Sequence, residues 1–377
     1  MTAELALVIV AAIAIAWANG SNDVSKGIAT LVGAGLTNYR AAIYWGLLFT
    51  AVGAITGAFF AHAMVETFGG KLLTAAARPD MVTALSIIGG AAGWVLLSTR
   101  TGMPVSTTHA IVGALVGVVL AAFGTEGVAW NILVWKVALP LLLSPLVALA
   151  VTITLRRAWD SWANHRQAAA DCICVTVEPQ VAPGGLAPGG LAMTENQPGL
   201  TLSACDTEQA GATAIPLVTI DRLHWFSAGL TSFARGMNDA PKLAGLVIAA
   251  TLLSGSTNLS GLSAFIIIAI AMTLGGYMAG LRVTKMLAEK VTVMNHHEGF
   301  TANLVTSMLV SSGAIFGLPM STTHVSASAL IGIGASGESG NLHMGAVKTM
   351  LAAWVITLPG AAIFGMLLFW MGRLVQG

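Results

Sequence analysis

Two short stretches occur twice in this 377-residue chain with almost the same displacement. Asn22-Asp23 returns as Asn238-Asp239, 216 residues on, and Pro104-Val105-Ser106-Thr107-Thr108-His109 returns as Pro319-Met320-Ser321-Thr322-Thr323-His324, 215 residues on. A chain duplicated in this way folds as two related halves, and a long-period repeat constrains topology more than any local propensity does. The polar residues that recur are expected to share one site.

The repeats are embedded in long apolar runs such as Ala138 to Leu155 and Phe265 to Met272. Residues are 56% hydrophobic and only 9% charged, with 43 glycines and a mean hydropathy of +0.81. A membrane-crossing helix needs about 20 mostly apolar residues, and small residues let such helices pack closely. The composition predicts an all-α polytopic membrane protein of about 10–12 segments. A β-barrel would instead show short alternating strands. A net charge of +1 argues against a nucleic-acid partner, which needs a basic footprint. The lipid bilayer is the expected surrounding, either a plasma membrane or a bacterial inner membrane.

Hydropathy divides the chain into an N-terminal membrane repeat (1–155), a polar stretch (156–221) and a C-terminal membrane repeat (222–377). Arg156-Arg157 and Arg166 at the start of the polar stretch place it in the cytoplasm by the positive-inside rule. A tandem Ala-Pro-Gly-Gly-Leu at 182–186 and 187–191 reads as a flexible linker. The three cysteines, Cys172, Cys174 and Cys205, all fall there. They make no disulfide framework, and Cys172-Ile173-Cys174 is read as incidental or structural.

The first apolar run, residues 4–18, lacks a basic n-region and reads as a retained segment rather than a signal peptide. Asn19 to Asp23 interrupts it, and it resumes from Val24 to about Gly35. This pattern predicts a broken helix, tolerated only where it lines a polar cavity, and an intramembrane acid there is a functional candidate. Capping of the second half-helix by Asp23 is the alternative. Pro241 suggests the same restart after Asp239. Lys26 and Lys242 each lie three residues beyond their acid, on one helix face.

Proline suits the first turn of a helix, so each Pro-x-Ser-Thr-Thr-His segment is expected to open one. The unpaired N–H groups of a first turn attract anions, and Ser106, Thr107, Thr108, Ser321, Thr322 and Thr323 would add hydroxyl donors. Simple capping is the alternative reading. His109 and His324 are expected to be hydrogen-bonded structural residues. Glu298 and Asn303 fall opposite Thr83 and Ile88 in the first half. Glu298 is therefore either an extra acid from one half or a helix start, and Asn303 either a polar site group of that half or an interhelical hydrogen bonder. His62, Glu66, Glu338, His343 and Lys348 read as polar connections, and His296 and His297 as surface residues.

Two helix N-termini facing each other near the midplane would bind a dehydrated oxyanion. Oxygens of Asn22, Asp23, Asn238 and Asp239, with Glu298 as a further acid, could hold a small hard cation such as sodium at Asp23 and Asp239, or accept a proton. Each bound ion would favour the other, so cation entry would drive anion uptake. No other cofactor is expected. A channel does not require duplicated acids and cradles, and an intramembrane enzyme usually sets unequal groups at one centre. No nucleotide loop or zinc spacing is present.

These motifs resemble the inorganic phosphate transporter family, sodium- or proton-coupled carriers that include bacterial sulfate permeases. The likeness spans residues 5–155 and 222–373, through Gly20-Ser21-Asn22-Asp23-Val24, Gly236-Met237-Asn238-Asp239, both Pro-x-Ser-Thr-Thr-His segments and Glu298-Gly299-Phe300-x-Ala302-Asn303-Leu304. The resemblance implies two inverted repeats with broken, re-entrant helical hairpins, cations at the Asn-Asp segments and the anion at the Ser-Thr-Thr segments. Phosphate is the expected substrate and sulfate the alternative; homodimer assembly is left open. One departure stands out: where the family often reads Asn-Asp-x-Ala-Asn, the last Asn is Lys26 in one half and Lys242 in the other. These two ammonium groups are expected either to compensate charge in place of bound cations or to pair with their acids structurally.

Overall fold

Hydropathy demands helices that satisfy their own backbone, and the computed structural model consists largely of them. It describes residues 2–166, 172–178, 199–204, 214–255, 261–291, 294–336 and 342–376. In order these are α1 (Ala3–Asp23), α2 (Ser25–Gly33), α3 (Tyr39–Phe60), α4 (His62–Glu66), α5 (Met81–Thr101), α6 (Thr107–Phe123), α7 (Trp130–Ile132) and α8 (Leu139–Arg166). Strands β1 (Cys172–Glu178), β2 (Gly199–Ala204) and β3 (Ala214–Thr219) follow. The chain then forms α9 (Ile220–Leu253), α10 (Gly261–Ala279), α11 (Leu281–Lys290), α12 (His296–Ile315), α13 (Thr322–Ser336) and α14 (Met344–Gln376). Among the described residues six helical stretches are long and apolar enough to cross a membrane. Leu142, Leu146, Phe59, Phe60 and Val355 point outward, as a lipid-facing surface requires. This is a multi-pass membrane protein.

The chain divides into two units, Met1–Arg156 with His224–Gly377, and Arg157–Leu223. The second contains an antiparallel three-stranded sheet of order β2-β1-β3, where the sequence suggested only a flexible linker. The run Val175-Thr176-Val177 carries the β-branched residues that favour strands. Cys172 and Cys174 lie on the β1 backbone. The tandem Ala-Pro-Gly-Gly-Leu, Cys205, Glu338 and the Arg166 side chain lie outside the described residues.

In the membrane unit each half reaches into the other. Helix α1 packs on α10 so closely that a Cβ on Gly20 would stand 1.9 Å from the Met272 carbonyl oxygen, and one on Gly275 2.2 Å from that of Trp17. Helices α9 and α3 repeat the arrangement: a Cβ on Gly236 would lie 2.2 Å from the Thr50 oxygen, and one on Gly53 2.0 Å from that of Phe233. The last long helix of each half in turn embraces a helical hairpin of the other. Helix α14 packs on α5 and α6, with Gly113 against the Leu358 carbonyl. Helix α8 meets α13, with Gly332 against Thr152 and the Leu149 carbonyl.

The expected helix breaks are smaller than the sequence suggests. Between α1 and α2 only Val24 intervenes, with helical dihedrals of φ −56° and ψ −32°. Helix α9 runs unbroken through Asn238-Asp239 with Pro241 inside it. A full break in an apolar interior would strand backbone groups. Pro241 frees only the Met237 carbonyl, which faces Gly57 of α3. The true interruptions lie at the hairpin tips, residues 102–106 between α5 and α6 and 316–321 between α12 and α13. Gly102 and Gly317 take positive φ there, 76° and 67°, as residues that end helices in the left-handed region do.

Asp80 opens α5. Its Oδ1 accepts from the Thr83 N–H at 3.0 Å, and its Oδ2 pairs with Arg373 of α14 at 2.6 Å. Substituting Asp80→Ala removes this cap and is expected to lower stability by about 1 kcal/mol, read as a decrease in the melting temperature of the purified protein.

Candidate functional site

At the middle of the membrane unit the two hairpin tips meet α1 and α9. Asn22 lies on α1 and reads the first tip as a peptide would. Its Oδ1 accepts from the Val105 N–H at 3.1 Å, and its Nδ2 donates to the Met103 carbonyl at 3.0 Å and Thr99 Oγ1 at 3.1 Å. Asn238 on α9 does the same for the second tip. Its Oδ1 accepts from the Met320 N–H at 3.3 Å, and its Nδ2 donates to the Met320 carbonyl at 3.0 Å. Each Asn thus satisfies backbone groups that the tip exposes in a buried setting, a task that cannot be left undone.

The tips also bond to each other. Thr323 Oγ1 donates to the Val105 carbonyl at 2.7 Å, and Thr108 Oγ1 to the Met320 carbonyl at 3.4 Å. Val105 and Met320 hold the same place in the two motifs, so the contacts come in equivalent pairs. Ser106 caps α6 by accepting from the His109 N–H at 3.2 Å, and Ser321 accepts from the His324 N–H at 3.2 Å. The helices α6 and α13 therefore begin at adjacent points. Behind them the rings of His109 and His324 meet at a tilt of 42°, centroids 4.3 Å apart, and His109 Nδ1 meets Ser106 Oγ at 2.8 Å.

The acids join this cluster. Thr107 Oγ1 donates to Asp23 Oδ2 at 3.1 Å, and Asn19 Nδ2 bridges Asp23 Oδ2 at 2.9 Å and Asp239 Oδ2 at 3.1 Å. Lys26 Nζ lies among the Asn22 carbonyl (2.8 Å), Asn22 Oδ1 (2.8 Å) and Asp23 Oδ1 (2.7 Å). Lys242 Nζ lies among Thr108 Oγ1 (2.7 Å), the Met320 carbonyl (2.9 Å) and Asp239 Oδ1 (3.3 Å). Each ammonium thus occupies a cage of three oxygens, the donor set a small hard cation would seek. The side chains of Asn19, Asn22, Asp23, Lys26, Thr107, Thr108, Asp239 and Lys242 are all buried.

The structure brings together Asn22, Asp23, Lys26, Ser106, Thr107, Thr108, Asn238, Asp239, Lys242, Ser321, Thr322 and Thr323. Glu298 stands apart in its contacts. Its carboxylate accepts from the Asn295 N–H at 2.8 Å in a capping box and pairs with Arg156 at 2.5 Å. Asn303 donates to Thr30 Oγ1 at 2.7 Å, an interhelical hydrogen bond. His296, expected at the surface, is half-buried, with Nε2 at 3.2 Å from the Ala34 carbonyl. Sequence reasoning passed over Asn19 and Arg235, although they fall opposite each other at the 216-residue displacement, which was the available signal.

Comparison with known proteins bears on the chain's family. Residues 19–365 match the phosphate transporter family. A probable low-affinity inorganic phosphate transporter of Mycobacterium leprae (strain TN) is 27% identical over 99% of this chain and 79% of its own length. One of Rhizobium meliloti (strain 1021) is 28% identical over 95% of this chain and 93% of its own. A solved structure named the sodium-dependent phosphate transporter shares the fold, with a TM-score of 0.78 at 21% identity over 99% of this chain and all of that one. With a match across nearly all of both halves and the duplicated tips at their junction, the chain belongs to the phosphate transporter family.

Proposed function

We propose that this protein is a secondary active carrier of inorganic phosphate, built as two inverted repeats, that binds the anion between its two Pro-x-Ser-Thr-Thr-His segments. The observation that carries this reading is the meeting of the tips. Two helix N-termini, Thr107, Thr108, Thr322 and Thr323, and two ammonium groups converge where Thr323 reaches the Val105 carbonyl. Free N–H groups at helix starts favour phosphate, and fixed positive charge offsets the cost of dehydrating it.

Asp23 and Asp239 are the coupling acids in this reading, with Asn22 and Asn238 holding the tips in register; Glu298 belongs to a stabilising pair at the mouth of the second hairpin. A protein of the same fold is named sodium-dependent, which favours sodium as the coupling ion. The two oxygen cages argue for a weaker sodium requirement here, because Lys26 and Lys242 already fill them. Protons are then the coupling ion, and residues 156–221 face the cytoplasm.

The test is uptake of radiolabelled phosphate into proteoliposomes under separately imposed sodium and proton gradients, with sulfate as competitor. Proton-driven phosphate uptake that ignores sodium is expected. Sodium-driven uptake would overturn the coupling assignment, sulfate-dominated uptake the substrate, and gradient-independent flux the carrier mechanism.

A further inference from the structure

Among the described residues Asp23, Lys26, Arg235, Asp239 and Lys242 are buried at the centre of the membrane unit, and one of these formally charged side chains lacks an opposite charge in contact. Lys26 and Lys242 each touch a carboxylate. Arg235, on α9 one turn before Asp239, is fully buried, yet its guanidinium makes a single hydrogen bond among the described residues, from Nη2 to Thr50 Oγ1 at 2.7 Å. Its Nε and Nη1 have no partner among the described residues. A buried guanidinium with unused donors is among the most costly arrangements in a protein, so a ligand that takes those donors gains more than it would at a satisfied site.

The opposite position in the first half is Asn19. Its Nδ2 bridges the two carboxylates, and its Oδ1 is buried and unpartnered. Arg235 precedes one of these acids, Asp239, by one turn of α9. Equivalent positions of the two halves thus present complementary vacancies beside one pair of carboxylates: a planar donor fork on one side, and a lone acceptor on the other.

That pairing specifies a kind of anion. A guanidinium fork matches the oxygen spacing of a tetrahedral oxyanion, while the Asn19 amide oxygen can only accept hydrogen bonds. The occupant must therefore bring its own protons. Singly charged phosphate carries hydroxyls and can give them; sulfate at neutral pH has none and would face that acceptor with bare oxygens. The formal charges agree, since Lys26, Lys242 and Arg235 exceed Asp23 and Asp239 by one, which one monoanion cancels.

Building on the phosphate reading above, we propose that Arg235 and Asn19 form a specificity element of the transport path that pairs with protonated phosphate and rejects sulfate. Arg235 donates to two phosphate oxygens, and Asn19 Oδ1 accepts from a phosphate hydroxyl. The element explains why one half places a cation and the other an amide at the same register of an otherwise matched site.

Binding of radiolabelled inorganic phosphate to the detergent-purified full-length protein, with sulfate as competitor, tests this. The native protein is expected to prefer phosphate by about a hundredfold or more. Arg235→Gln should weaken phosphate binding by about tenfold or more. Arg235→Lys, which keeps the charge without the fork, should recover less than half of that loss on a logarithmic scale. Asn19→Ser should narrow the phosphate-to-sulfate ratio by about tenfold while leaving sulfate affinity unchanged, a change that a purely structural role would not produce. Thermal melting of each variant identifies any that has lost its fold, and Arg235→Lys keeps the test decisive if Arg235→Gln does. Native selectivity together with unchanged phosphate affinity in folded Arg235→Gln, or full recovery by Lys, would overturn the inference and leave the phosphate reading intact. Native protein that binds sulfate as well as phosphate, or neither, would overturn both.

Discussion

Replacing Lys26 and Lys242 together by Asn is expected to reduce phosphate uptake in sodium-free buffer by at least about tenfold and to make the remaining uptake respond to sodium. Removing one partner of a buried ion pair typically costs about 3–5 kcal/mol, and here Asp23 and Asp239 would both lose their ammonium contacts at 2.7 and 3.3 Å. The vacated space beside Asp23 would be lined by the Asn22 carbonyl, Asn22 Oδ1 and Asp23 Oδ1, the three acceptors that now hold Lys26. An introduced Asn side chain adds an oxygen to that set, and oxygen ligands suit a small hard cation. Sodium added to the external buffer should then recover part of the lost transport. Initial uptake rates with sodium or choline as the external cation read the effect directly. Equal rates in native and variant proteins, with the same response to sodium, would mean that the lysines only stabilise their helices. The single Lys242→Asn variant guards against loss of fold, because Lys242 also holds the Met320 carbonyl and Thr108 and its removal leaves the Lys26 cage intact.

Much of this site was legible because chemistry that recurs at a fixed displacement does not depend on knowing the fold. The Ser-Thr-Thr segments, both Asn-Asp pairs and both lysines are named by the repeat itself, and they converge. Hydropathy marked the cores of α8 and α10 in the runs Ala138 to Leu155 and Phe265 to Met272, since a run of apolar residues must be helical in lipid. The continuity of α9 was not legible. Asn-Asp followed by Pro241 carries the local marks of a helix restart, and only the neighbouring Gly57, in another helix, shows how the freed Met237 carbonyl is accommodated. Glu298 illustrates the reverse case. An intramembrane acid invites a functional reading, yet Asn295-x-x-Glu298 is also a capping-box pattern, and that pattern formed. Identity between the two halves does not reveal Arg235. At this position the halves differ, and only the pairing of unlike residues across the repeat, Asn19 with Arg235, brings the difference forward.

Gly20→Val and Gly236→Val are each expected to abolish stable folding, with a loss on the order of 4–5 kcal/mol or more. The cost follows from the atoms that a side chain would meet. An added Cβ at Gly20 would stand 1.9 Å from the Met272 carbonyl oxygen and 2.6 Å from its carbon; at Gly236 it would stand 2.2 Å from the Thr50 oxygen and 2.8 Å from the Ala54 nitrogen. These are backbone atoms of packed helices, so no side-chain rotation relieves the overlap, and an interior this dense transmits the strain. Between helices in lipid there is no hydrophobic gain to offset such a displacement, because close van der Waals contact is itself the attraction. The two positions also join different pairs of helices, α1 to α10 and α9 to α3, and both pairs cross from one half of the chain to the other. Either substitution should therefore separate the halves as well as loosen one interface, and carry Asp23 and Lys26, or Asp239 and Lys242, away from the hairpin tips. Gly345→Val serves as the control, because a Cβ there meets nothing within 4 Å. The yield of monodisperse protein and its melting temperature should be close to native for Gly345→Val and collapse for the other two.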